Sequence, residues 1–407
     1  MKRILLTTLC VLLLGAGTLL KAQLFTNYTT VNGLPDNFIC GGVAVDINNN
    51  KWFGTSAGVA KYDNATWTTY NTTNGLVDNY TTCIAVDKNN NVWVGTNLGV
   101  SKFDGTTWTS YTTTDGLIDN GVVYIAGDND GSVWFVTPVG ASKFNGTTWT
   151  NYTTLNGLPT DVLFYVAVEP SGNKWFGTQM QGVSIFNNTT FSNISKATMD
   201  SLVDDNVFAV AIDKLGQKWI GTRYGISKLG TSNNWLTNYR PVNGIYNEWV
   251  HDIKIDSNNH VWVVCFTDYN IEGGISVFNG TSWQSYSIAD GLADKQVIRL
   301  AVDKNNEVWV ATGNGVSRFA NHVGISKNQT EVPFSVSPNP ANDVLYINHD
   351  NNAARLCIYN LLGSLIKEYA LTGTSNSIDI NDIPAGMYVV QLTDKNNNSY
   401  STKLIKQ

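Results

Sequence analysis

Tryptophan recurs in this sequence with a period that few folds can satisfy. Trp52, Trp93, Trp134, Trp175, Trp219, Trp262 and Trp309 each sit in a short apolar stretch, at intervals of 41, 41, 41, 44, 43 and 47 residues. Self-similarity at such spacing means an array in which each unit buries its apolar face only against its neighbours. The unit YTTCIAVDKNNNVWVGTNLGVSKFDGTTWTSY, residues 80–111, shows the internal order. β-branched and apolar residues 80–87 read as a first strand, KNNN as a turn and VWVGT as a second strand. NLG turns again, VSKF is a third strand, DGT is a hairpin turn and TWTSY is a fourth strand. Asn, Asp and Gly at the turns supply the left-handed conformations that tight hairpins need. Four short antiparallel strands per unit predict the blade of a β-propeller.

The loop that enters each unit, Gly33-Leu34 in the first and Gly291-Leu292 in the last, also occurs seven times. The fourth-strand aromatic occurs only six times, as Trp67, Trp108, Trp149, Phe191, Trp235 and Trp283. After the seventh third strand, GVSRF at 315–319, the pattern stops. The missing strand stands at the other end of the chain. Residues 24–28, LFTNY, carry Phe25 in the Trp position and Tyr28 in the Tyr position. Paired into the last blade, they would close the ring and remove its free edge. Residues 23–320 are therefore expected to form a seven-bladed β-propeller closed by the N-terminal strand, in an all-β protein.

The stretch NGLPDN…VAVDINNNKWFGTSAGVAKYDNATWTTY resembles the two-component regulator propeller repeat of Bacteroidetes, found in the periplasmic sensor halves of hybrid histidine kinases. The resemblance covers residues 24–320, because loop, Asp turn and Trp-Gly-Thr strand recur together. No membrane span and no kinase follow in this sequence, so the resemblance implies recognition alone.

Residues 321–333 break the period and read as a linker. From 334 to 407, alternating apolar residues bounded by Pro, Gly and Asn predict a small immunoglobulin-like β-sandwich of about seven strands. This part resembles the type A C-terminal sorting domain of the type IX secretion system. Pro338-Asn339-Pro340, the LLGS turn at 361–364, Pro384-Ala385-Gly386-Met387-Tyr388 and the basic end at 403–406 carry the resemblance. It implies that the type IX secretion machinery engages residues 334–407 and carries the protein across the outer membrane, with removal of the domain near the linker.

Residues 1–22 hold Lys2, Arg3, an apolar run from Ile4 to Leu20, and Lys21-Ala22, and read as a signal peptide cleaved near Ala22. Cys10 lacks the small residues of a lipoprotein box before it. No later segment is apolar for the roughly 18 residues of a membrane span. The expected location is secreted or at the outer cell surface, reached through the periplasm. The chain has 26 basic and 32 acidic residues, a net charge of −6. Signal removal takes three basic residues and leaves −9, which disfavours nucleic acid as a partner. Four cysteines remain, Cys40, Cys83, Cys265 and Cys357, without CxxC or His-rich spacing. They are expected to be buried thiols rather than a disulfide or zinc ligands.

Of four histidines, His251, His260, His322 and His349, only His251 lies in a blade where a central site could use it. Streptogramin-lyase-like propellers have similar repeats but use paired histidines and a metal, which this chain does not offer. No GxSxG, HExxH or phosphate loop is present. Whether two carboxylates stand at a separation suited to glycoside hydrolysis is a three-dimensional question that spacing leaves open. The turns at 46–50, 87–91 and 128–131 look like calcium loops but lack the Glu at position twelve; Leu98 stands there in the second. Their recurrence between first and second strands reads as hairpin chemistry. No cofactor or metal is expected, and the protein is read as a non-enzyme.

A ligand site is expected where the repeat is broken. Loops from fourth to first strands, and from second to third, emerge on one face around the mouth of the channel. Most blades carry small residues there, such as SAG at 56–58 and GNG at 313–315. Blade four instead offers Met180, blade five Arg223 and Tyr224, and blade six an insertion with Asp268, Tyr269 and Glu272. Trp249 and His251 begin the first strand of blade six. Aromatic and polar groups at one rim suit stacking on a sugar or peptide. Ordinary loop variation with partly buried rim aromatics is the competing explanation. The expected function is a secreted or cell-surface recognition propeller that binds an extracellular glycan or protein. The alternatives are a scaffold or adhesion module without a small-molecule site, and a polysaccharide-active propeller enzyme.

Overall fold

The computed structural model describes residues 24–266, 272–320, 334–349, 353–360, 365–395 and 399–407. The expected signal peptide (1–22), the linker (321–333), the turn at 361–364, Asp268 and Tyr269 lie outside the described residues. The chain divides into two compact units, Met1–Ala320 and Asn321–Gln407.

Among the described residues the first unit holds seven antiparallel four-stranded sheets. Blade two shows the plan: Thr81–Val86, Val92–Thr96, Val100–Phe103 and Trp108–Tyr111. The acidic turn explains why the repeat needs both Asp and Trp. In every blade an acidic residue six positions before the tryptophan accepts its indole N–H at 2.8–3.3 Å, as Asp87 does from Trp93. The other carboxylate oxygen of Asp87 accepts the backbone N–H groups of Asn89 and Asn91, both at 2.9 Å. One side chain thus shapes the hairpin and satisfies a buried donor, whose desolvation would otherwise be unfavourable. All seven tryptophans are at most 2% exposed. They pack across blade boundaries, for example Trp52 against Phe103 of the next blade at 5.6 Å.

Blade seven consists of Val297–Val302, Val308–Thr312, Gly315–Phe319 and the N-terminal strand Phe25–Tyr28. The closing strand pairs Phe25 with Phe319 and Tyr28 with Val316. Phe25 is fully buried with Trp262, Val297 and Phe319, and Tyr28 stacks on Trp309 at 5.6 Å. Three buried ion pairs bolt neighbouring blades together. Lys51 reaches Asp303 at 2.9 Å, Lys174 reaches Asp128 at 2.7 Å, and Lys218 reaches Glu169 at 3.0 Å. In each pair the acid is also the tryptophan acceptor of the preceding blade.

Among the described residues the second unit has seven strands in two sheets. Phe334–Ser337, Val344–His349 and Ser375–Asp379 form one; Leu365–Ala370, Ala353–Asn360, Gly386–Asp394 and Ser399–Lys406 form the other. Leu345 and Ile347 of the first pack with Leu356, Ile358, Val390, Leu392 and Leu404 of the second, as the alternating sequence requires. Cys40, Cys83, Cys265 and Cys357 are all free thiols, three of them buried and Cys40 half-buried.

Candidate functional site

Strand register makes the seven blades comparable residue by residue. The first-strand residue paired with each buried tryptophan is Ala44, Ala85, Ala126, Ala167, Ala211, Lys254 and Ala301. Six blades keep a methyl group where the inner strands crowd the channel. Blade six replaces it with lysine. Two residues earlier in these strands stand Gly42, Cys83, Tyr124, Tyr165, Ala209, Asp252 and Arg299, so the polar and aromatic side chains gather on blades three, four, six and seven.

These side chains cross the channel and meet. The Lys254 ammonium donates to Asp252 Oδ1 at 2.5 Å, to the Tyr165 hydroxyl at 3.1 Å and to the Tyr124 hydroxyl at 3.4 Å. Asp252 is fully buried. Its carboxylate also accepts the backbone N–H of Ile253 at 3.0 Å and of Leu300 at 3.1 Å. Burial works to lower the Lys254 pKa, but Asp252 and the two tyrosines outweigh it and hold the ammonium charged. Arg299 lies over the Tyr124 ring at 4.7 Å. A cavity of about 190 Å³ adjoins this group, lined by Arg299, Lys254, Asp252 and Tyr124 and by the small inner-strand residues of blades one and two.

An aromatic quadrant stands at the strand heads of blades four to six. Phe164 stacks on Phe208 at 4.9 Å, and Phe208 stacks on His251 at 5.7 Å. His251 stacks on Phe266 at 4.7 Å, while Trp249 meets Phe208 at 5.7 Å and Phe266 at 5.3 Å. The Arg223 guanidinium sits 5.2 Å from the Trp249 ring centre, a cation–π contact. Trp249, His251, Phe164, Phe208 and Phe266 are all half-buried, and Arg223 is exposed. Burial, and then the Arg299 charge, pushes the His251 pKa down to about 4, so its imidazole is neutral near pH 7. The Trp249 indole N–H and His251 Nδ1 are buried without a protein hydrogen-bond partner.

Of the residues singled out by sequence, Arg223, Trp249 and His251 therefore converge. Met180 is 67% exposed at its own turn with φ of 58°, and Tyr224 is 44% exposed. Among the described residues neither joins the ring contacts of the quadrant. The Glu272 carbonyl accepts from Asn247 Nδ2 at 3.0 Å, which ties the end of the blade-six insertion to the head of its first strand. Phe164, Phe208 and Phe266, together with the channel residues Tyr124, Tyr165, Asp252, Lys254 and Arg299, are the members that loop comparison misses. Among the described residues no group of three or more His, Cys, Asp and Glu side chains could hold a metal ion.

Fold and sequence together define a seven-bladed propeller with a match to a two-component-regulator propeller repeat in its second blade, followed by a secretion sorting domain. Residues 335–407 match the family model of the secretion system C-terminal sorting domain, and residues 75–98 that of the two component regulator propeller. The sorting domain indicates type IX secretion to the cell surface or outside the cell. Among the described residues no helix is long and apolar enough to cross a membrane. The extracellular domain of BT3049 from B. thetaiotaomicron is similar in structure, with a TM-score of 0.64 at 18% identity over 94% of this chain and 57% of that one. PorZ, a surface component of the type-IX secretion system of Porphyromonas gingivalis, gives a TM-score of 0.62 at 19% identity, covering 92% of this chain and 60% of that one. At these identities the likeness is one of fold. A 72-residue stretch is 40% identical to the ulvan lyase NLR42 of Nonlabens ulvanivorans, and covers 17% of this chain and 14% of that protein.

Proposed function

We propose that this secreted propeller recognises an extracellular glycan or protein through the aromatic quadrant of blades four to six, and that it binds its ligand without turning it over. The observation that carries the reading is the concentration of half-buried rings, Phe164, Phe208, Trp249, His251 and Phe266, on three adjacent blades. At the register of Trp249 the other blades carry Phe38, Tyr80, Gly121, Val162, Asn206 and Gln296, so the fold itself has no need of an indole there. Flat rings, two of them carrying ring nitrogens in Trp249 and His251, suit the apolar face of a sugar or the side chains of a peptide. Binding rather than catalysis fits the channel groups, since Asp252 and Lys254 spend their hydrogen-bonding capacity on each other and on their neighbours.

The test is a glycan and peptide array probed with the purified secreted protein. Trp249→Ala should weaken retention of a bound probe by roughly 10- to 100-fold, the loss of an aromatic anchor. Ser56→Ala, at a blade-one turn on the same face, should leave it unchanged. Equal retention by wild type and Trp249→Ala would refute the assignment.

A further inference from the structure

The channel carries one cation more than its own groups neutralise. Asp252 is matched by Lys254, and the three donors of that ammonium reach Asp252, Tyr165 and Tyr124. Arg299 has no such counterpart. Among the described residues it makes no ion pair, its Nη2 reaches only the Val123 carbonyl at 3.5 Å, and its Nη1 is buried with no protein acceptor. The guanidinium carbon stands 4.7 Å from the centre of the Tyr124 ring, a cation–π contact that uses none of the N–H donors at its edge in a hydrogen bond. The chain makes room for it there. A Cβ at Gly42 would stand 2.8 Å from Arg299 Cδ, and Gly42 has φ of 80°, so only glycine serves at the point where the arginine stem crosses. The neutral His251 nearby registers the same uncompensated charge, because Arg299 is second only to burial in lowering its pKa.

We propose that the channel cavity is an oxyanion site in which the Arg299 guanidinium binds a carboxylate or sulfate group. Arg299 is half-buried, but its Nη1 is a buried donor with no acceptor, which is unfavourable, and a guanidinium edge matches a planar or tetrahedral oxyanion through two parallel N–H···O bonds. The cavity, about 190 Å³, is several times the roughly 30 Å³ that one water occupies in the liquid, so it accommodates a small anion. Lys254 and its partner Asp252 also line the cavity and offset each other, so Arg299 supplies its net positive charge, and the rest of the lining is largely apolar. The anion is either free in solution or a substituent of a larger ligand. The site uses none of the stacking contacts of the aromatic quadrant, although His251, a member of that quadrant, senses its charge.

The experiment is calorimetric titration of the full secreted protein with sodium sulfate and with sodium glucuronate, at ionic strength held constant with sodium chloride. Saturable binding of sulfate is expected, weakened about tenfold or more in Arg299→Gln and unchanged in Val31→Ala, at a position 94% exposed. Glucuronate binding with the same dependence on Arg299 would mean that a sugar-borne carboxylate reaches the site; sulfate alone would assign it to free anions. Nuclear magnetic resonance of the wild type supplies a readout that needs no variant, since the bound anion should raise the His251 pKa above its anion-free value. Absence of saturable binding by both anions, binding indifferent to Arg299→Gln, or an unmoved His251 pKa at saturating anion would each overturn the proposal.

Discussion

Replacing Phe25 with alanine tests whether the ring is locked by its first strand. The closing strand makes only four residue pairs with Gly315–Phe319, from Phe25↔Phe319 to Tyr28↔Val316. Its hold therefore rests on the anchors at its two ends. Tyr28 grips Trp309, while Phe25 is fully buried, with ring centres 5.2 Å from Phe319 and 6.0 Å from Tyr286. Truncating a buried phenylalanine costs about 3–5 kcal/mol. A unit of this size shifts its melting temperature by roughly 2 °C per kcal/mol, which gives a fall of about 6–10 °C. The assay is thermal unfolding followed by tryptophan fluorescence. All thirteen tryptophans lie between Trp52 and Trp309, so the signal reports the propeller alone. Val31→Ala is the matched control, since Val31 is 94% exposed in the loop that leaves the same strand, and exposed changes stay within about 0.5 kcal/mol. If Phe25→Ala melts together with Val31→Ala, the N-terminal strand does not hold the ring.

Lys254→Ala restores the residue found in the other six blades, yet it should destabilise by about 3–5 kcal/mol because it leaves Asp252 buried and unpaired; Asp252→Ala combined with Lys254→Ala should cost less than the two single changes added together, as chemical denaturation will show. For Asp303, burial works to raise the pKa, but the hydrogen bond and charge of Lys51 and the backbone N–H groups of Glu307 and Asn305 hold it below the ordinary carboxyl value. Its stabilisation is therefore complete above about pH 4 and lost as pH falls through the lower folded value, so an acid titration should find Lys51→Met less sensitive to that fall than wild type. A chain ending at residue 333 should stay inside the cell, and immunoblotting that finds it outside in normal amounts would contradict the role of the sorting domain.

The propeller is legible in sequence because its determinants are local and repeated. An acidic residue stands six positions before the Trp in blade after blade, with Asn in most of the turns between them, and blade seven visibly lacks its outer strand. Single-blade irregularities are not legible in this way. The outer strand of blade five, Trp235–Tyr239, carries a register shift opposite Lys228 and Leu229 that the inserted residues before it do not announce. The site is split along the same line. Arg223, Trp249 and His251 stand out because loops and strand heads differ between blades. Phe164 and Phe208 look like ordinary core residues of alternating strands, since only the closed ring turns that face toward a mouth. Tyr124, Tyr165 and Lys254 come from three blades and up to 130 residues of chain, the separation of Lys254 from Tyr124. The signal for Lys254 is nevertheless present: a lysine in a column of six alanines becomes visible once first strands are aligned on their tryptophan partners.

Hydrogen exchange on the full secreted protein, with and without a saturating probe taken from the array, tests the recognition surface most directly. Protection confined to residues 162–166, 206–210, 222–225, 247–251 and 264–266 is the predicted result, because those backbones carry Phe164, Phe208, Arg223, Trp249, His251 and Phe266. Protection at the acidic turns, residues 46–50, 87–91 and 128–131, would place the ligand on the opposite face and contradict the account.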